Sequence, residues 1–297
     1  MATRIQIARP DILKTFEAGP HVLKPVEFAA VFSKNRDAWR LARRMTLTSF
    51  ERYMTERTPL KEVRFNFPQR PVTGYVWGDV PPLEVLLGLV DHSYLSHYTA
   101  VRLHGLTEQV PKTIYLTREK SSSIAYLAQE LEDIKQEAID EAFSRPPRVS
   151  HNEVTVGDQR VIFLQGAPQD ELGVTAKATT YDSNRAMQLR YTTLERTLID
   201  IAVRPTYAGG VFEVAKAYAN AKDQDISANA MSSMLKRMRL AYPYHQAVGF
   251  YLERAGYKQS LVDLFKSQPM ERDFYLTHDM GKTRYVKDWR LHVPEGF

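Results

Sequence analysis

In the first sixty residues, apolar side chains recur at helical spacing in four separate runs. Ile12, Leu13 and Phe16 share one face of a segment stopped by Gly19-Pro20, which predicts a short helix over Pro10–Ala18. Pro25, a favoured first-turn residue, opens a second helix carrying Val26, Phe28, Ala29 and Phe32. Ala38, Leu41, Ala42 and Met45 fall at i, i+3, i+4 and i+7, which predicts a third helix over Asp37–Met45. Thr46-Leu47-Thr48 then reads as a tight turn whose hydroxyl caps a fourth helix running to about Arg57. Leu47, Phe50 and Met54 form the inner stripe of that helix; Ser49, Arg52, Tyr53 and Glu56 share the opposite face.

The period then changes. Leu60–Phe67 and Val72–Trp77 read as strands joined by Pro68–Pro71, with Gln69 and Arg70 at the tip. Helix, turn, helix and hairpin in that order predict a winged helix-turn-helix. Gly78-Asp79-Val80-Pro81-Pro82 reads as a linker, which sets domains at 1–82 and 83–297. Beyond it the pattern is mixed. Ser96–His104 reads as a helix closed by Gly105, Ile114–Thr117 as a strand, and Ile124–Phe143 as a long amphipathic helix with Ile124, Leu127, Leu131, Ile134 and Ala138 inward. Val154–Val156 and Arg160–Leu164 flank a tight Gly157-Asp158 turn. Thr192 and Glu195 have capping-box spacing and open a helix through Ala202. Helices follow over Val211–Ala221, Ser227–Leu240, His245–Ala255 and Leu261–Lys266, then strands over Asp273–Thr277 and Trp289–Val293. The expected class is α+β: a winged-helix domain followed by a larger mixed α/β domain whose C-terminal part is helical.

Composition narrows the function. A chain of 297 residues, 43% hydrophobic and 25% charged, can build two cores. It has no cysteine, so disulfide and thiol chemistry are excluded. The N-terminus lacks the apolar stretch of a signal peptide, and no apolar run has the length to span a membrane, so a cytoplasmic protein is expected. The net charge of +5 is unevenly placed. Residues 1–82 hold fourteen Lys and Arg against eight Asp and Glu, a surplus of six that leaves the remainder at −1. A basic block of this kind attracts polyanions by phosphate contact and counterion release.

The fourth helix and the hairpin carry the best candidate chemistry. A recognition helix needs short polar donors at its N-terminus, where base edges are reached, and Arg or Lys nearby to hold phosphates. Thr46, Thr48, Ser49, Arg52 and Tyr53 supply the first set; Arg43, Arg44 and Arg57 supply the second; Gln69 and Arg70 stand at the wing tip. The competing explanation is a solvated amphipathic helix beside an exposed hairpin. Lys236, Arg237 and Arg239 form a second, smaller basic cluster. The acidic face of Ile124–Phe143, with Glu130, Asp133, Glu137, Asp140 and Glu141, is either a solvated surface or a protein-contact face. His92, His97 and His104 do not have zinc-helix spacing, and no cofactor is expected. No nucleophile-elbow, P-loop or dinucleotide fingerprint is present. Glu195 and Arg196, with Arg204, read as helix-end ion pairs.

Two long strings add a family resemblance. Leu95–Thr117, LSHYTAVRLHGLTEQVPKTIYLT, and Tyr191–Ala221, YTTLERTLIDIAVRPTYAGGVFEVAKAYANA, resemble the antitoxin domain of AbiEi proteins, the antitoxin half of type IV abortive-infection toxin–antitoxin pairs; the closing WRLHVP is also similar. The resemblance implies repression of the protein's own operon by operator binding through the N-terminal domain. It also implies a C-terminal domain that counteracts a separately encoded nucleotidyltransferase toxin, with or without a stable complex. The matching positions are Ser96, His97, His104, Gly105, Glu195, Arg196, Asp200, Arg204, Tyr207, Gly209 and Gly210. A non-enzymatic DNA-binding antitoxin, monomeric or weakly dimeric, is therefore expected. The alternatives are a nuclease or nucleic-acid-modifying enzyme targeted by its winged helix, and a regulator that senses a small ligand.

Overall fold

Ile5, Ala8, Ile12 and Phe16 are all buried, so the first helix gathers its apolar stripe from a longer segment than the one read from Pro10 onward. In the computed structural model, which describes residues 3–120, 134–181, 186–238 and 240–297, helix α1 spans Arg4–Ala18 with Pro10 inside it. Pro10 lies on the exposed face, where its ring meets no core side chain and its missing N–H costs one helical hydrogen bond. Strand β1 (Val22–Leu23), helix α2 (Pro25–Asn35), helix α3 (Leu47–Arg57) and strands β2 (Leu60–Phe65) and β3 (Val72–Trp77) follow. β3 lies between β1 and β2 and is antiparallel to both. The order helix, strand, helix, helix, strand, strand with this three-stranded sheet is a winged helix.

The helix predicted over Asp37–Met45 is absent: residues 36–40 turn, and Arg40 takes φ 50°. The physical reason is which residues reach the core. Trp39 and Leu41 are both buried, two apart, and a helix would direct them to different sides. Trp39 stacks 5.6 Å from Phe50. The guanidinium of Arg36 donates to the carbonyls of Ala42 and Arg43 and replaces the helical hydrogen bonds that the turn lacks.

The chain divides into two compact units, Met1–Asp91 and His92–Phe297. Helix α4 (Pro82–Leu89) belongs to the first, so that unit ends at Asp91 and not at the boundary drawn after residue 82. Leu89 packs so close to Gly74 of β3 that a Cβ there would stand 2.2 Å from it. The core of this unit joins Phe16, Phe28, Phe32, Trp39, Phe50, Met54, Tyr75 and Trp77. Gly78-Pro82 is thus a turn inside the unit that leads into α4.

The second unit begins with strand β4 (Ser93–Leu95), helix α5 (His97–Leu103), strand β5 (Thr113–Glu119) and helix α6 (Gln136–Ser144). Strands β6 (Glu153–Val156), β7 (Gln159–Gly166), β8 (Val174–Thr179) and β9 (Met187–Thr192) complete a six-stranded sheet of order β6-β7-β5-β4-β9-β8. Its β5–β7 and β4–β9 pairs are parallel and the others antiparallel. Helices α7 (Leu194–Val203), α8 (Val211–Ala221), α9 (Ala228–Arg237), α10 (Tyr244–Arg254) and α11 (Gln259–Lys266) follow, with a small sheet of β10 (Phe274–Tyr275), β11 (Thr283–Val286) and β12 (Leu291–Pro294). Trp289 is wholly buried among these helices and fits only because position 249 is glycine: a Cβ there would lie 2.2 Å from the indole.

Residues 124–133 of the expected long acidic helix, with Glu130 and Asp133, lie outside the described residues, as does Arg239. The remainder corrects the expected phase. In α6, Ile139 and Phe143 are buried while Ala138 is exposed. Asp140 turns inward to accept from Tyr275 (3.0 Å) and Gln136 (2.8 Å), so the acidic residues do not share one solvated face.

Candidate nucleic-acid interface

Helix α3 is anchored from both ends and from below. Thr46 is its N-cap, and its Oγ1 accepts from the amide of Ser49 at 3.1 Å. Thr58 closes the other end by donating to the carbonyl of Met54. Phe50 and Met54 are 0% exposed and fix the rotation of the helix. Leu47, expected on the same stripe, is 37% exposed because the first turn runs past the edge of the core. The phenol of Tyr75 on β3 donates to the Glu51 carboxylate at 2.8 Å and ties the helix to the sheet. Burial raises the pKa of that phenol, with Glu51 acting in the same direction.

With that rotation fixed, Thr48, Ser49, Arg52 and Arg57 stand exposed. Tyr53 is half-buried against the core and takes a flank position. Arg43 and Arg44 lie exposed on the turn before the helix, braced through the Arg36 contact to the Arg43 carbonyl. Gln69 and Arg70 lie exposed in the loop between β2 and β3, where Phe65 pairs with Val72. Among the described residues, the guanidiniums of Arg43, Arg44, Arg52, Arg57 and Arg70 have no hydrogen-bond or ion-pair acceptor. Thr46 is exposed too, but its oxygen already caps the helix, so its polar capacity toward a ligand is reduced. A groove between α3 and β2 is lined by Thr48, Arg52, Thr55 and Lys61 together with Glu51 and Glu62.

The motif residues of the second unit are used in the opposite way. Arg196 on α7 is buried, with its Nε 2.8 Å from Asp200 Oδ1, one guanidinium nitrogen donating to the carbonyl of Leu172, and another 3.9 Å from Glu119. Burial works to lower the pKa of Arg196, but Asp200, Tyr94 and Glu119 outweigh it and hold the guanidinium firmly charged. Glu119 also accepts from Tyr94 (3.0 Å) and from the amides of Gln169 (2.7 Å) and Glu171 (3.0 Å). The set clamps the loop from Gln169 to Gly173, in which Asp170 and Glu171 both hold positive φ. The helix-end ion pairs of Glu195 with Arg196 and Arg204 read from the sequence are therefore absent among the described residues: Arg196 turns inward to Asp200 and Glu119. Arg204 is exposed, and the Glu195 carboxylate accepts from the amide of Ser227 before α9. The N-cap of α7 is Thr193, one residue after the capping box expected at Thr192; Thr192 bonds the hydroxyl of Thr197 instead.

Ser96, the N-cap of α5, and His97, its first residue, follow directly on β4. The Ser96 hydroxyl is 2.8 Å from His97 Nδ1 and 2.6 Å from Thr117 Oγ1. Ser96 is 1% exposed, which closes it to a substrate. His97 holds φ 50°, and its ring meets Tyr207 edge-on at 5.3 Å. Burial lowers the His97 pKa to about 4, against the pull of Asp200, so the imidazole is neutral. Tyr207 accepts from the amide of Ser150. His104 lies 2.8 Å from the carbonyl of Thr192, and burial lowers its pKa too. Gly105, Gly209 and Gly210 have φ of 67°, 80° and 93°, conformations that L side chains resist. Among the described residues, no group of three or more His, Asp or Glu could hold a metal ion.

Sequence reading missed Glu119, Tyr94, Glu51, Tyr75 and Arg36. Arg36 acts on carbonyls six and seven residues on, whereas Glu119, Tyr94, Glu51 and Tyr75 gain meaning from partners far along the chain, and no spacing rule connects Glu119 to Arg196.

The structure is similar to the crystal structure of the RV2827C protein from Mycobacterium tuberculosis, with a TM-score of 0.56 and 14% sequence identity over 98% of this chain and 93% of that chain. That likeness concerns the fold alone. No protein-family model matches the sequence, and no curated protein matches it. No helix among the described residues is long and apolar enough to cross a membrane.

Proposed function

We propose that this protein is a cytoplasmic DNA-binding autorepressor and antitoxin. Its first unit binds double-stranded operator DNA, and its second counteracts a separately encoded nucleotidyltransferase toxin. The observation that carries the DNA-binding half is the set of exposed arginines, Arg43, Arg44, Arg52, Arg57 and Arg70, without protein acceptors on the turn, helix and loop of a winged helix. Cations held on a fixed frame with no internal partner suit phosphates, and α3 has the form that enters a major groove. The antitoxin half rests on the resemblance of the Leu95–Thr117 and Tyr191–Ala221 strings. The roles of Arg196, Asp200, His97 and His104 in this reading are architectural: they hold the scaffold that carries the exposed Arg204.

Titration of a fluorescent duplex from upstream of the protein's own gene tests the first half. The logarithm of the affinity should fall linearly with the logarithm of salt concentration, with a slope of about −0.9 per phosphate contacted. Salt-independent binding, or none, rejects it. Co-expression with a nucleotidyltransferase toxin of the AbiE type tests the second half: restored growth is expected, and undiminished toxicity overturns it.

A further inference from the structure

Thr48, Arg52 and Glu56 are spaced i, i+4 and i+8 and form one stripe along the outward face of α3, away from the buried Phe50 and Met54. An acidic residue on this stripe needs a cause. Glu56 lies in the last helical turn, where the carbonyl end of the helix dipole disfavours a carboxylate. It has no hydrogen-bond or ion-pair partner among the described residues, although Arg52 stands one turn before it and Arg57 beside it. Facing a duplex, it is also repelled by the phosphates.

Base edges sort what such a group could meet. In the major groove guanine shows two acceptors, thymine an acceptor and a methyl, and adenine an acceptor beside its amino donor. Cytosine shows its amino donor alone. A carboxylate only accepts. Cytosine is therefore the base that meets it without an opposing lone pair. The arginine fork has the reverse preference and fits the N7 and O6 of guanine. Resting on the DNA-binding reading above, we infer that α3 reads a short step of two G·C pairs: Arg52 takes a guanine, and Glu56 accepts from the amino group of a cytosine. The two residues are about 6 Å apart along the helix axis, which places the bases about two pairs apart. Glu56 is thus a specificity-determining residue that trades general affinity for choice of sequence.

The test uses the full-length protein and a pool of randomised duplexes at one fixed salt concentration, with sequencing of the bound fraction. Wild type should enrich a guanine and, about two pairs away, a cytosine, each by about tenfold or more. Arg52→Ala should flatten the guanine preference alone. Glu56→Ala should flatten the cytosine preference alone, and Glu56→Gln, which adds a donor, should shift it towards adenine. If both Glu56 variants bind every sequence more tightly while all preferences stay unchanged, Glu56 only repels phosphates and the inference fails, with DNA binding intact. If wild type binds no duplex in a salt-dependent manner, the DNA-binding reading itself fails and takes this inference with it.

Discussion

Arginine is used in opposite ways in the two units. Around α3, Arg43, Arg44, Arg52, Arg57 and Arg70 are exposed and have no acceptor among the described residues. In the second unit Arg196 is 5% exposed and saturated by Asp200, Glu119 and a backbone carbonyl. A buried charge is tolerable only when paired and hydrogen-bonded, so the Arg196 cluster cannot lose a member without exposing the others to an apolar interior. An exposed guanidinium in water contributes little to stability and stays available for an external anion. The difference teaches which arginines hold the fold and which are free to bind. It also makes an error of reading visible: Arg196 and Arg204, eight residues apart in one motif, belong to opposite classes.

The comparison breaks first at Arg196. Arg196→Ala leaves Glu119 and Asp200 without their cation, and it should destabilise the second unit by about 3–5 kcal/mol in denaturant unfolding. A loss under 1 kcal/mol would show that the cluster is as dispensable as a surface pair. His97 sharpens the same point through pH. Its folded value of about 4 lies below its ordinary value of 6.5, so the unfolded chain takes up the proton first as pH falls. Stability should be complete above pH 6.5 and should fall progressively towards pH 4, by about 3 kcal/mol from this residue. His97→Gln should flatten the slope across that window, and an unchanged slope would assign the pH dependence elsewhere. Thr46→Ala removes the α3 cap and should cost about 1 kcal/mol in the first unit; no change in the melting midpoint would show that the burial of Phe50 and Met54 alone holds the helix start.

The smallest stability effect is expected where the largest binding effect lies. Arg52→Ala should change stability by less than about 0.5 kcal/mol, yet weaken operator binding by about 1–3 kcal/mol. Equal operator affinity for wild type and variant would remove Arg52 from the interface.

Much of the architecture was legible from one dimension. Helix α3, its Thr46 cap, the β2–β3 hairpin, α8 and the β6–β7 turn at Gly157 follow from periodicity, capping and turn chemistry, which act between residues close in sequence. The exposed positions of Arg52 and Arg70 were legible for the same reason: the apolar stripe or the turn dictates the facing. The failures share a different cause. The i, i+3, i+4, i+7 pattern of Ala38, Leu41, Ala42 and Met45 gave way because Trp39, outside the pattern, packs on Phe50. Arg196 was read in a helix-end pair beside Glu195; Asp200, at i+4 on the same helix, was within reach of a spacing rule, whereas Glu119 reaches Arg196 only when β5 and α7 come together.

The sequence by itself determined where the basic charge lies, which segments can be helices or strands, and the outward facing of Thr48, Ser49, Arg52 and Arg57 on α3, since local backbone geometry decides these; Leu47 and Tyr53 depended on where the core ends. Tertiary structure decided which charges are buried and which remote partners join them, as Glu119 joins Arg196. The i,i+4 spacing of Arg196 and Asp200 is local, but exclusion of water and the approach of Glu119 depend on residues remote along the chain, which no local period encodes.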